Sequence, residues 1–286
     1  MQPIFVGDVQ GCAEELGELI ARAEAEYAKE FTLWVVGDLV NRGPDNRRAL
    51  ELVRGLVEEG RGEYVLGNHE IHLIATALGL RELGPWDSVG DLLSASDAQE
   101  WIDWLRRRPL AVGGVLAGRR FVMVHASVAP DWSYEEVLAH ADRAAAHLAE
   151  SRASAREFLS QDEGESEARD DLGRLTRCRS IAPGFVWSSR PPEGEARPWH
   201  AVWAEREHDY GVVYGHWALQ GLHLGRGLRG LDTGCVHHGR GRKGLLTAWL
   251  PDAEDVSRSG GAFGLPDDRF WQIAARRRYY NRPSRG

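Results

Sequence analysis

Five short apolar runs in this chain each stop at a residue able to bind a metal ion. Ile4-Phe5-Val6 leads to Asp8 and Phe31 to Val36 leads to Asp38. Tyr64-Val65-Leu66 leads to Asn68 with His69 beside it, Phe121 to Val124 to His125, and Gly211 to Tyr214 to His216. Carboxylate, carboxamide and imidazole groups form a mixed oxygen and nitrogen donor set suited to divalent cations. One Asp or Asn after a glycine is an ordinary turn residue. Five strand endings of this kind are better read together, because ligands gather outside the carboxyl ends of strands in α/β sheets. The chemistry implied is metal-assisted attack on an electrophilic centre.

The elements that must position these groups alternate along the first 130 residues. After the run ending at Asp8, Leu16, Leu19, Ile20 and Ala23 recur at helical spacing. Pro44 can open a second helix carrying Leu52, Val53, Leu56 and Val57. This βαβαβ rhythm predicts parallel pairing over the first third. A Trp-rich segment over about 84–109 reads as helical and stops at Pro109. Residues 131–160 have helical periodicity, followed by an acidic stretch at 161–171 (QDEGESEARDD) and an irregular excursion at 188–198. Further β signals fall at Gly221–Leu224, Leu228–Leu231 and Leu245–Leu250. The expectation is a single domain over 1–286, with a helical insertion at about 131–180 and a flexible basic tail at about 269–286.

Composition narrows the function classes. The 286 residues are 43% hydrophobic and 27% charged with a net charge of −8, a globular profile that argues against broad electrostatic wrapping of nucleic acid. Cys12, Cys178 and Cys235 lie far apart with no CxxC, so reduced thiols and a cytoplasmic location are expected. The N-terminus lacks a signal-peptide pattern and no apolar run approaches a membrane span, so no membrane partner and no stable nucleic-acid partner are expected.

The ordered motifs GDVQG (7–11), GDLVNRGP (37–44), GNHE (67–70), His125 and GHW (215–217) resemble the calcineurin-like metallophosphoesterases, in particular the phosphoprotein-phosphatase branch. The fold this implies is α/β: a β-sandwich of two mixed sheets flanked by helices. Within that branch LGNHEIHLIA (66–75), WLRRRPL (104–110), GRLTRCR (173–179), RPWHAVW (197–203), GHWALQG (215–221) and LDTGC (231–235) are similar to the symmetrical bis(5′-nucleosyl)-tetraphosphatases. The resemblance implies hydrolysis of diadenosine tetraphosphate to two ADP, driven by a hydroxide held between two divalent cations, Mn²⁺ ahead of Mg²⁺ or Co²⁺. It assigns Asp8, Gln10 and Asp38 to one cation, with Asp38 bridging to a second completed by Asn68, His125 and His216. Arg42 would fork onto phosphoryl oxygens and Asn68 would also touch substrate. His69 would be the general acid at the leaving oxygen.

Two positions depart from the branch pattern. Gln10 stands where the usual motif has His, making that site all-oxygen on the protein side and favouring hard cations; water in its place is the other reading. Asn41 stands where protein phosphatases carry an Asp that supports the catalytic His. His69 should therefore be a weaker proton reservoir, which suits a nucleoside diphosphate leaving group better than a serine alkoxide. Restoring Asp at 41 is expected to raise phosphomonoester cleavage relative to polyphosphate cleavage.

Rival readings are a Ser/Thr-type protein phosphatase, a broad nucleoside-polyphosphate or RNA-cap hydrolase, and a sensor that binds dinucleotides without cutting them. Arg177, ahead of Arg179, is expected to reach the distal phosphates. Trp217 is expected in the core, and His237 and His238 on the surface. Gly225, Gly227 and Gly230 spell GxGxxG, but with no helix following they predict a hairpin. GRGRKG (239–244) lacks the Ser/Thr of a phosphate loop.

Overall fold

In the computed structural model, residues 1–239, 241–252 and 261–279 are described. The chain opens with β1 (Gln2–Val6), α1 (Ala13–Tyr27), β2 (Phe31–Val35), α2 (Asn46–Glu58) and β3 (Gly62–Tyr64). Helices α3 (Asn68–Ala77), α4 (Gly90–Ser94) and α5 (Ala98–Leu105) precede a hairpin of β4 (Ala111–Leu116) and β5 (Arg119–Val124). Then come α6 (Tyr134–Glu150), α7 (Arg152–Ser160), α8 (Glu167–Arg177), β6 (Ser180–Ala182), β7 (Val186–Ser188), β8 (Arg197–Pro198) and α9 (Trp199–Ala204). The strands β9 (Tyr210–Tyr214), β10 (His223–Gly225), β11 (Leu228–Gly230), β12 (Leu245–Trp249) and β13 (Phe270–Ala274) complete it.

Two five-stranded mixed sheets result, ordered β13-β12-β1-β2-β3 and β10-β11-β9-β5-β4. In the first, β1, β2 and β3 run parallel; in the second, β5, β9 and β11 do. Period-two alternation explains how the sheets stack. Phe5, Phe121, Met123, Val213 and Trp249 form an apolar layer distinct from the larger core, while their strand neighbours Ile4, Val6, Val122, Val124 and Val212 join the helices' apolar faces. Each sheet thus has one face toward the other sheet and one toward helices. Leu16, Leu19, Ile20 and Ala23 of α1 are buried as their spacing predicts.

Local chemistry sets several boundaries. Asp45, not Pro44, caps α2, its carboxylate accepting the Arg48 amide at 3.0 Å. Ser133 and Glu136 form a reciprocal capping box at the start of α6. Ser166 caps α8, so the acidic stretch becomes helical from Glu167 onward. The β10–β11 hairpin turns where the three spaced glycines stand. The basic tail is a correction. Residues 270–274 form β13, paired along its length with β12 because Trp271 and Ile273 are buried on one face. Arg276 and Arg277 then pair with Glu18 and Glu14. Residues 280–286 of that expected tail lie outside the described residues.

Candidate active site

The six parallel strands aim their carboxyl ends at one region. Asp8 follows β1, Asp38 follows β2, and Asn68 and His69 open α3 after β3. His125, His216 and Asp232 follow β5, β9 and β11. Ligating atoms of Asp38, His125 and His216 all lie within 4.8 Å of one another. His125 Nε2 is 3.3 Å from Asp38 Oδ1 and 3.1 Å from Asn68 Oδ1. The Gln10 carboxamide nitrogen lies 3.4 Å from Asp38 Oδ2. Asp8 accepts the His216 backbone N–H at 3.0 Å.

Neighbouring groups orient these side chains. The His125 Nδ1 side faces the Val36 carbonyl at 2.9 Å, so Nε2 points into the cluster. His216 is the reverse: Nε2 faces the Arg177 carbonyl at 3.0 Å, leaving Nδ1 toward the cluster. Glu70, buried, accepts the amides of Asp38, Leu39, Val40 and Gly67 and so clamps the β2 and β3 loops together. A Cβ at Gly67 would strike the Asp38 carboxylate, and one at Gly215 would strike that of Asp8. Gln10, Asp38, Asn41, Arg42 and His216 all hold left-handed backbone, with φ from 47° to 77°.

Titration behaviour follows from crowding. Burial raises the Asp8 carboxyl, with Asp232 and Asp38 adding to it, and burial pushes Asp232 to about 6. Burial also pushes up Asp38, but the imidazoles of His125 and His69 outweigh it and hold that carboxyl well below its ordinary range. His216 is driven down by burial, then by Arg179 and His125, so its imidazole is neutral. His125 goes the other way: burial lowers it, but Asp38 outweighs that and raises it. The set therefore contains hard oxygen donors, two imidazole nitrogens and more buried carboxylates than cations to meet them. That is the composition a pair of divalent cations fits.

His69 is shifted down by burial, with Arg42 and His125 adding to the effect against Asp38. Its Nε2 lies 3.6 Å from Asp38 Oδ2, and its buried Nδ1 has no hydrogen-bond partner among the described residues. Asn41 supplies none because its side chain turns elsewhere, donating to Asp87 Oδ1 at 2.8 Å and accepting the Arg42 and Ser88 amides. This changes the expectation for that position. A carboxylate at 41 would face Asp87 in this arrangement.

A cavity of about 780 Å³ opens from the cluster, walled by Arg42, Arg179 and Arg242 and by Trp86 and Trp217. Trp217 is half-buried and lines this cavity, where the core had been expected. His237 lines it too and, like His238, is half-buried and not on the open surface. Arg179, not Arg177, reaches the main cavity. Arg177 pairs with Glu163 and lines an adjoining hollow. Sequence reasoning passed over Asp232, although LDTGC places an acid just after a β signal. It also passed over Asp87 and Trp86, which fall in the segment read as helical but lie in a turn ahead of α4.

A pocket of strand-end Asp, Asn and His beside a wall of arginines defines a metal-assisted hydrolase of phosphate compounds. The family model described as calcineurin-like phosphoesterase matches residues 1–239, and the chain belongs to that family. It is 37% identical over 256 residues to a symmetrical bis(5′-nucleosyl)-tetraphosphatase of Ralstonia nicotianae, covering 83% of this chain and 87% of that one. A protein of the same name from Chromobacterium violaceum is 34% identical over 288 residues, 94% of this chain and 96% of its own. A crystal structure provisionally described as a diadenosine tetraphosphatase superposes with a TM-score of 0.60 at 24% identity, over 96% of this chain and 93% of that chain. The family implies a dinuclear divalent metal site. No helix among the described residues is long and apolar enough to cross a membrane.

Proposed function

We propose that this enzyme hydrolyses diadenosine tetraphosphate symmetrically, yielding two ADP, in the cytoplasm and with Mn²⁺ as the working cation. The observation that carries the reading is the arginine wall: Arg42 and Arg179 extend from the ligand cluster along a cavity large enough for a polyphosphate chain. The names of relatives aligned over most of both chains support it. Asp8, Gln10 and Asp38 would hold one cation, and Asp38, Asn68, His125 and His216 the second. When bound, the pair would polarise the phosphoryl group and supply an activated water at neutral pH.

The chain's own groups do the rest. Arg42, steadied by Asp87 at 3.4 Å, meets charge on the equatorial phosphoryl oxygens, with Asn68 beside it. His69 gives a proton to the departing oxygen from Nε2. With no anionic partner on Nδ1 its imidazolium is weakly supported, which is sufficient for an ADP leaving group that is a stable anion. Arg177 contacts phosphates beyond the cut. Product analysis with purified, Mn²⁺-loaded enzyme tests the reading: ADP alone is expected, AMP with ATP would make the cut asymmetrical, and faster turnover of phosphoserine peptides would replace it with a protein phosphatase.

A further inference from the structure

The main cavity does not end at the catalytic wall. Arg42, Asn68, His69 and Trp86 also line a second hollow of about 320 Å³ on their far side. Two further guanidinium groups, Arg81 and Arg177, face into this hollow. Resting on the function proposed above, the geometry points to this hollow as the subsite for the departing nucleoside diphosphate, with Arg81 as the residue that reads its far phosphate.

The charge arrangement supports this. Arg177 is matched by Glu163, and the Asp87 carboxylate is committed to Asn41, Arg42, His72 and the Gly84 amide. Arg81 is exposed and forms no ion pair among the described residues, yet it lies near enough to Arg177 for the two like charges to oppose each other. With Arg177 matched by Glu163, Arg81 is the one exposed guanidinium lining this hollow that has no ion-pair partner among the described residues, and it makes a local positive field that an anion would relieve. An in-line displacement sends the leaving oxygen away from the nucleophile, on the side of its proton donor. His69 stands at the boundary of the two hollows, so the half of the substrate that departs past it enters the smaller one. Arg42 then grips the phosphate at the cut and Arg81 the phosphate beyond it. A symmetrical cut leaves two phosphates on each half, and the smaller hollow gives the departing pair its own cationic end.

The test compares two substrates in Mn²⁺-loaded enzyme. Diadenosine tetraphosphate has a leaving half that would fill the hollow, whereas p-nitrophenyl phosphate has a leaving group with no phosphate. For Arg81→Gln the ratio of kcat/KM for the dinucleotide to that for the aryl ester is expected to fall about tenfold, as loss of one charge-assisted contact predicts. Arg107→Gln, an exposed arginine away from both hollows, should leave that ratio within twofold of wild type. In parallel, calorimetry should show ADP binding weakened at least fivefold by Arg81→Gln. An unchanged rate ratio together with unchanged ADP affinity would overturn the subsite. Wild-type enzyme that cleaves the aryl ester but never the dinucleotide would instead break the functional reading. In that case the ADP titration alone decides the hollow, equal affinities for wild type and Arg81→Gln counting against it.

Discussion

Two of the buried charge clusters among the described residues are balanced in opposite ways. In the layer near Trp249 and Phe263, Arg229 and Asp267 bury both side chains completely at 2.9 Å. Arg229 also donates to the carbonyls of Gly225, Leu228, Ala262 and Gly264 and lies over both aromatic rings. Asp267 accepts the Trp249 indole N–H at 2.9 Å. Every charge there finds its complement within the chain. At the strand ends Asp8, Asp38, Asp232 and Glu70 crowd around three imidazoles, of which burial drives His69 and His216 down while Asp38 draws His125 up against burial, and three of the four carboxyls are pushed up. The first cluster is a finished structure. The second carries an excess of carboxylates of the kind divalent cations suit, and the contrast separates a buried ion pair that holds a fold from a buried acidic cluster that a family of metal-dependent hydrolases would use.

Substitutions should divide the same way. Asp38→Asn removes the carboxylate shared by both proposed cation sites, and activity should drop about a thousandfold or more, several kcal/mol of barrier, with circular dichroism unchanged. Chelation of the wild type should mimic it, reversibly. Asp267→Ala should cost about 3–5 kcal/mol of stability by stranding Arg229, with kcat per folded molecule unaltered; a denaturant series with parallel assays would show it. If Asp38→Asn instead unfolds the protein and Asp267→Ala slows it, the contrast is wrong.

Smaller effects sharpen the picture. Arg42→Lys keeps the charge but loses the fork, and kcat should fall about 10–100-fold with less change in KM. Asn41→Asp sets a carboxylate against Asp87 and should lower stability by about 1–3 kcal/mol, seen as a reduced Tm; adding Asp87→Asn should recover most of it. Asp87 supplies the smallest effect. Burial raises its carboxyl, but Asn41, Gly84 and His72 together bring it down to about 2. A group whose folded value lies below the ordinary 3.8 adds stability above that value and loses it as pH falls toward 2. Unfolding midpoints measured from pH 5 to pH 2 should therefore lose about 1 kcal/mol more in wild type than in Asp87→Asn, allowing for solvent screening.

The legible parts of the site were those where a short apolar run ended at or beside a ligand residue. Asp8, Asp38, Asn68, His125 and His216 satisfy this, because a single local rule fixes both their element and their place at its end. Asp232 obeys the same rule, but its strand is three residues long and half glycine-flanked, so the acid read as a motif letter only. Arg177 and Arg179 straddle the end of α8, where one residue of difference in the helix stop redirects a side chain from one hollow to the other. β4 (AVGGVL) was hidden by two glycines that weaken a strand signal, and β13 (FWQIA) by the arginines around it. Asp87 and its neighbour Ser88 are positioned by hydrogen bonds to the Asn41 and Gly43 loop, a tertiary relation with no periodic trace.

The left-handed backbone at Gln10, Asp38, Arg42 and His216 carries a last consequence. Each such residue sits about 1–2 kcal/mol above what glycine would need there. A search for heat-tolerant variants would thus be drawn to glycine at these four places, and every success would erase a group that the proposed reaction uses. Durability and turnover draw on the same few residues, so gains in one must be sought elsewhere in the chain if the other is to survive.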